Sequence, residues 1–226
     1  MSHAAGRILL FCHADDLVDQ AWLDTLSSAV GPGHMVRGWG ECAQLNDPQC
    51  YQGDAWSREL IVRSGYIPGI DSANVVMTTN DALELGGFDE SLRYVEDVDF
   101  GWRFQQVGKT VGIAAAVVHY RARTDTQGVF RQRRRWGRYN IRFRQRHRQP
   151  ARTAPACRSD HELPVLDSRT IQTTWILPLE MLRAGRSERR RVLSQYGMTL
   201  GEFEGHLWFR FLRRMPVPPL ISRAGG

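Results

Sequence analysis

Apolar residues fall into a repeating order along the first 150 positions, in which short continuous runs alternate with stretches of helical spacing. The run Arg7-Ile-Leu-Leu-Phe-Cys12 stops abruptly at His13-Ala-Asp-Asp16 and predicts a buried parallel strand with a polar carboxyl end. Trp22, Leu23, Leu26 and Val30 predict a helix within 19–30, stopped by Gly31-Pro32-Gly33. Residues 35–39 predict a strand. Residues 40–70 have no clear period and predict loop, with one helix around 56–63. Residues 72–77 then predict a strand and 79–85 a short helix closed by Gly86-Gly87. A helix is expected over 96–107, closed by Gly108, with Val98, Trp102, Phe104 and Val107 as its apolar contacts. Residues 110–120 predict one strand, or two broken near Ala114, and 128–148 a strongly basic helix ended by Gln149-Pro150.

Beyond that point 155–164 reads as a linker. Residues 175–182, 188–195 and 200–211 predict two or three helices, with Phe203, Leu207, Trp208 and Phe211 forming an apolar side and Pro216-Val-Pro-Pro219 marking the end. Strands alternating with helices predict an α/β fold with a sheet flanked by helices and a C-terminal helical extension. The corresponding domains are 1–150 and 151–226.

Composition narrows the function classes. The 226 residues are 42% apolar and 24% charged, with a mean hydropathy of −0.40, which fits a globular protein rather than a disordered one. No run approaches the roughly 18–20 apolar residues of a membrane span, so an integral membrane protein is not expected. Residues 1–6 lack the basic and apolar segments of a secretory signal. Cys12, Cys42, Cys50 and Cys157 include no C-x-x-C pair, which argues against a disulfide scaffold or structural zinc. A cytoplasmic location is the resulting expectation. Net charge is +6 but segregated: −9 over 1–120, +12 over 121–158 and +3 over 159–226. Only Lys109 among the 30 basic residues is lysine, so the clustering of arginines carries more information than their identity.

Three clusters hold candidate chemistry. Asp15 and Asp16 are adjacent carboxylates at a strand end, costly to crowd unless a cation relieves them, although Asp16 or Asp19 also suits a helix N-cap. Gly86-Gly-Phe-Asp-Glu90 precedes Glu96-Asp97-Val-Asp99, whose carboxylates crowd the first turn of a helix where the dipole favours them. One of them, aimed into a cleft, would serve as a general base. His119-Tyr120 ends an apolar strand, and Gln132-Arg-Arg-Arg-Trp136 lies on the basic helix.

In order and spacing, Leu9-Leu-Phe-Cys-His-Ala-Asp-Asp16, Gly86-Gly-Phe-Asp-Glu90, Glu96-Asp97-Val-Asp99 and His119-Tyr-Arg121 resemble the inverting glycosyltransferases of family 2. The resemblance covers roughly residues 7–148 and implies a partial GT-A, Rossmann-like sheet. It implies transfer of a sugar from a nucleotide-diphosphate sugar to a carbohydrate or lipid-linked acceptor hydroxyl, with a divalent metal (Mn²⁺ or Mg²⁺) acting as Lewis acid. On this resemblance Asp15 is the metal-facing member of a D-x-D motif and Asp16 contributes to substrate binding. Asp97 is the catalytic base, supported by Glu96 and Asp99. His119 matches a further metal ligand, and Gln132, Arg135 and Trp136 match a Q-x-x-R-W substrate-binding pattern. Arg133, Arg134 and Arg135 are expected to reach the diphosphate.

Two departures accompany the resemblance. His13 stands where the motif has its first aspartate, so altered nucleotide or metal affinity is expected. The family's N-terminal half is expected before Arg7, where only six residues stand, so the chain is expected to hold the metal, acceptor and base side without most of the nucleotide pocket. The alternative is a non-catalytic binding module using the arginines of 121–158 for an acidic partner, with an anionic membrane surface as a peripheral contact. Nucleic acid ranks last, since the acidic first 120 residues would oppose it.

Overall fold

The computed structural model describes residues 4–47, 54–56, 58–60, 62–63, 67–147 and 185–211. The linker expected over 155–164, the helix expected over 175–182 and the Pro216–Pro219 end lie outside the described residues. Those described fall into two compact units, residues 4–90 with 96–122, and residues 91–95 with 123–147 and 185–211. The sequence placed a boundary near 150, whereas this division falls at 122/123. The basic helix belongs with the C-terminal helix because its packing partners are there.

In the first unit, β1 (Ile8–Cys12), β2 (Leu17–Val18), β3 (His34–Glu41), β7 (Asn74–Thr78) and β8 (Thr110–His119) form one curled mixed sheet in the order β1-β7-β3-β8-β2. The short β4 (Asp54–Trp56) pairs with β3, and β5 (Val62–Arg63) with β6 (Ile67–Pro68) makes a separate ribbon. The described residues within 56–63 are not helical. The β-branched Val62 and Ile67 lie in extended pairs instead, in keeping with their preference. β3 and β8 are parallel, while β7 runs antiparallel to both β1 and β3. The parallel direction expected for β1 is therefore incorrect. An apolar run reports cover on both faces, and helices supply that cover here whichever way the strand runs.

Alternation along the strands sorts the core into two layers. Val36, Val76, Ala116 and Val118, with Ile8 and Leu10, pack under α1 (Trp22–Ala29) through Trp22 and Leu26. Met35, Val75 and Met77, with Leu9 and Phe11, face α2 (Thr79–Glu84) and α3 (Glu96–Gln106) through Ala82, Phe100 and Phe104. This is a mixed α/β unit, consistent with a partial Rossmann-like fold. One polar knot ties its centre: the fully buried Asn74 accepts from Trp22 Nε1 at 2.9 Å and donates to the carbonyls of Trp39 and Ala116. Gly38 sits where β3 and β8 shift register, and a Cβ there would overlap the Ala116 carbonyl and the Asn74 amide. β8 stays one strand through this irregularity.

The second unit pairs α4 (Thr126–Arg146) with α5 (Arg186–Gly205), which continues into a π-helical turn, His206–Phe211. α5 is a single helix rather than the two expected. Its contact with α4 is made by glycines as well as aromatics, with Tyr196 stacked on Phe130 and Trp208 under the Arg138 guanidinium. Gly197, Gly201 and Gly205 stand four residues apart against the carbonyls of Phe130, Arg134 and Arg138, with no room for a Cβ. Phe203 and Leu207, expected on an apolar contact side, are exposed.

Candidate functional site

Strand register gathers the chemistry at one edge of the sheet. Cys12 faces Asn74, Arg37 faces Val75, and Glu41 faces His119. The carboxyl ends of β1, β3 and β8 and the amino end of β7 therefore share an edge, the usual place for ligands in open α/β sheets. The loop His13–Asp16 follows β1, the pair Asp71-Ser72 precedes β7, and Glu41 and His119 end β3 and β8.

Asp97 lies in the first turn of α3. Its Oδ2 accepts the Ser72 backbone N–H at 3.0 Å and the Ser72 hydroxyl at 3.4 Å, and its Oδ1 accepts the Val98 N–H at 2.7 Å. Burial, reinforced by the neighbouring Asp71 carboxylate and more weakly by Glu96, pushes its carboxyl up to about 6 against the lowering effect of those two backbone N–H groups. Oε2 of Glu96 is buried without a hydrogen-bond partner among the described residues.

Asp99 has a different task. It is fully buried and its Oδ2 accepts from Arg103 Nε at 2.8 Å, one helical turn on. The remaining guanidinium nitrogens of Arg103 donate to the carbonyls of Leu85 and Gly87, each at 2.6 Å. Gly86 and Gly87 both have positive φ, 73° and 70°, which a Cβ would oppose. The ion pair therefore bolts the Gly-Gly turn to α3, and Phe88 beyond it packs edge-on between Phe11 and Phe100. Asp99 is thus committed to holding the frame of α3 around Asp97.

His13, Asp15 and Asp16 each offer one ligand atom within 4.8 Å of the others, so the three could hold a metal ion. Asp16 Oδ1 accepts the Arg121 N–H at 2.8 Å. Its Oδ2 has no hydrogen bond among the described residues, although the side chain is only 1% exposed. Burial raises the Asp16 carboxyl above its ordinary value, more than the Arg121 N–H and His13 lower it. A buried oxygen without a donor, beside a second carboxylate and an imidazole, is a donor set that suits a divalent cation.

His119 stands apart from that group. Its Nδ1 donates to Glu41 Oε1 and its Nε2 to Asp19 Oδ1 at 2.9 Å. Burial lowers the imidazole's proton affinity, but the two carboxylates outweigh it and raise the ring above its ordinary value. Burial raises Glu41, and His119 with the N–H groups of Ala43 and Gln44 brings it below its ordinary value. Both ring nitrogens are thus engaged by carboxylates, and Asp19 serves His119 rather than a helix cap.

Gln132, Arg135 and Trp136 lie on α4, in the other unit. Gln132 is half-buried, Arg135 is exposed with its guanidinium 5.7 Å from the Tyr94 ring, and Arg133 stacks 4.7 Å from Trp136. Arg134 is spent on Glu204 together with Arg138, and Arg144 pairs with Glu202 at 3.2 Å. Arg142 and Arg146 are buried.

Sequence reasoning passed over Asp71, Ser72, Glu41 and Arg103. The polar Asp71-Ser72 step just before an apolar strand and the Asp99/Arg103 spacing of four were the available signals. No protein-family model matches the sequence, and comparison with curated proteins gives no match. No helix among the described residues is long and apolar enough to cross a membrane.

Proposed function

We propose that this chain acts in inverting transfer of a sugar from a nucleotide-diphosphate sugar to a hydroxyl of a carbohydrate or lipid-linked acceptor. The observation that carries the reading is Asp97, a carboxyl raised to about 6 and oriented by two backbone N–H groups at the ligand edge of the sheet. Such a group is ionised at neutral pH yet more basic than an ordinary aspartate, which suits a general base. The acceptor hydroxyl gives its proton to Asp97 as its oxygen bonds to the anomeric carbon. The bond from that carbon to the phosphate oxygen breaks, and the nucleoside diphosphate leaves with the electron pair. Asp71 and Glu96 keep Asp97 basic through their charge, and the Asp99–Arg103 bolt keeps its helix in place. His13, Asp15 and Asp16 would hold a divalent cation, which would supply positive charge for the departing diphosphate.

The internal use of Arg134, Arg138 and Arg144 counts against the alternative of an open basic surface for nucleic acid or an anionic membrane. The test is donor turnover on a panel of nucleotide-diphosphate sugars, with and without acceptor. Nucleotide release that is lost in Asp97→Asn and in Asp15→Asn supports the reading. Release that survives Asp97→Asn removes it.

A further inference from the structure

We infer that His13, Asp15 and Asp16 form a mixed nitrogen–oxygen site that takes a borderline transition ion, Co²⁺ or Zn²⁺, ahead of Mg²⁺ and Mn²⁺. The inference deepens the cation part of the proposed function and rests on it for the site's role, but its chemistry is carried by this loop.

Two independent features point to a cation. The first is the convergence of three ligand atoms within 4.8 Å, one of them an imidazole nitrogen. The second is Asp16. Its side chain is 1% exposed, one oxygen is used by Arg121, and the other faces His13 Nδ1 at 3.4 Å without forming a hydrogen bond. A buried carboxylate oxygen left in that state costs free energy that a bound cation would recover. The loop is braced for this, since Arg121 Nε donates to the Asp15 carbonyl at 3.0 Å and its N–H fixes the Asp16 carboxylate. Asp15 and His13 remain exposed, leaving open positions for water or substrate oxygens.

The ligand set decides the ion. Mg²⁺ demands near-octahedral oxygen coordination and dehydrates reluctantly. Imidazole suits Zn²⁺ and its neighbours, and affinity for nitrogen-containing sites rises from Mn²⁺ through Co²⁺. An aspartate at position 13 would present oxygens only. Histidine there shifts preference towards the later ions while the two carboxylates keep the site anionic.

The test is calorimetric titration of the full chain with Co²⁺, Zn²⁺, Mn²⁺ and Mg²⁺ alone, without nucleotide, followed by the visible absorption of the Co²⁺ form. Expected is a preference for Co²⁺ and Zn²⁺ over Mg²⁺ on the order of tenfold or more. His13→Gln should weaken Co²⁺ by about that factor and leave Mg²⁺ unchanged, and His13→Asp should narrow the preference. His13 is 48% exposed, so neither variant disturbs the core. Asp16→Asn should weaken every ion. Cys12 is also exposed and adjacent, so Cys12→Ser is the control and should change nothing. Equal affinity for Mg²⁺ and Co²⁺, Co²⁺ binding unaltered by His13→Gln, a thiolate-to-cobalt band that vanishes in Cys12→Ser, or no binding of any ion overturns the inference. Metal preference that follows His13 in a chain without sugar transfer leaves this inference standing and removes the proposed function. Transfer without that preference does the reverse.

Discussion

Replacing Asp97 by asparagine removes a carboxylate that the fold holds at a cost. The carboxyl lies at about 6 in the folded chain against an ordinary 3.8, so above pH 6 its ionisation destabilises the folded state. At about 1.4 kcal/mol per tenfold change in proton affinity, the cost at pH 7 is up to about 3 kcal/mol. Asparagine keeps the bond from Ser72 N–H but offers an N–H₂ to the Val98 N–H, losing about 1 kcal/mol. The variant should therefore be more stable than wild type by about 1–2 kcal/mol at pH 7. The sign reverses in its pH dependence, because the folded state binds a proton that the unfolded state releases between 3.8 and 6. Wild-type stability gains as pH falls through that window, and by pH 4.5 the advantage of the variant should shrink by about 2 kcal/mol, to near zero. Urea unfolding at pH 4.5 and 7, followed by tryptophan fluorescence, measures both differences. An equal offset at the two pH values, or a variant less stable at pH 7, would refute the burial and Asp71 repulsion assigned to this carboxyl.

Other consequences are equally direct. Arg103→Leu leaves Asp99 buried without its cation and frees the Leu85 and Gly87 carbonyls, so the urea midpoint should fall by the equivalent of about 3–5 kcal/mol. Gly201→Ala drives a methyl into the Arg134 carbonyl and should cost about 1–3 kcal/mol or more, read as earlier loss of helical circular dichroism on heating. Glu41 and Asp19, outweighing burial, raise His119 above its ordinary 6.5, so its contribution is complete below that value and lost as pH rises through its higher folded value. Thermal unfolding between pH 7 and 9 should show a downward slope in wild type that His119→Gln lacks.

The fold was legible where local chemistry and tertiary demand agree. Gly86-Gly87 and Gly108 closed their helices because both ends need positive φ, and the runs over 8–12 and 74–78 are strands because helices cover both sheet faces. Strand direction was not legible, since an apolar run is the same read either way. The close approach of α4 and α5 was hidden for a related reason: Gly197, Gly201 and Gly205 carry no hydrophobic signal. In the candidate site, Asp97, Asp15 and Asp16 could be picked from motif spacing. Their partners could not, because Ser72 and Arg121 reach them only through strand register, across 25 and 105 residues. Asp99 looked equivalent to Asp97 in sequence, yet full burial against Arg103 separates their tasks.

The central claim is that Asp97 takes the acceptor proton during sugar transfer. The most direct measurement is the pH dependence of nucleotide release from a nucleotide-diphosphate sugar in the presence of acceptor, for wild type and Asp97→Asn. An acid limb near pH 6, where Asp97 ionises, and a loss of about 10²–10⁴-fold in the variant are expected. Turnover that keeps its rate and its acid limb without the Asp97 carboxylate would contradict it.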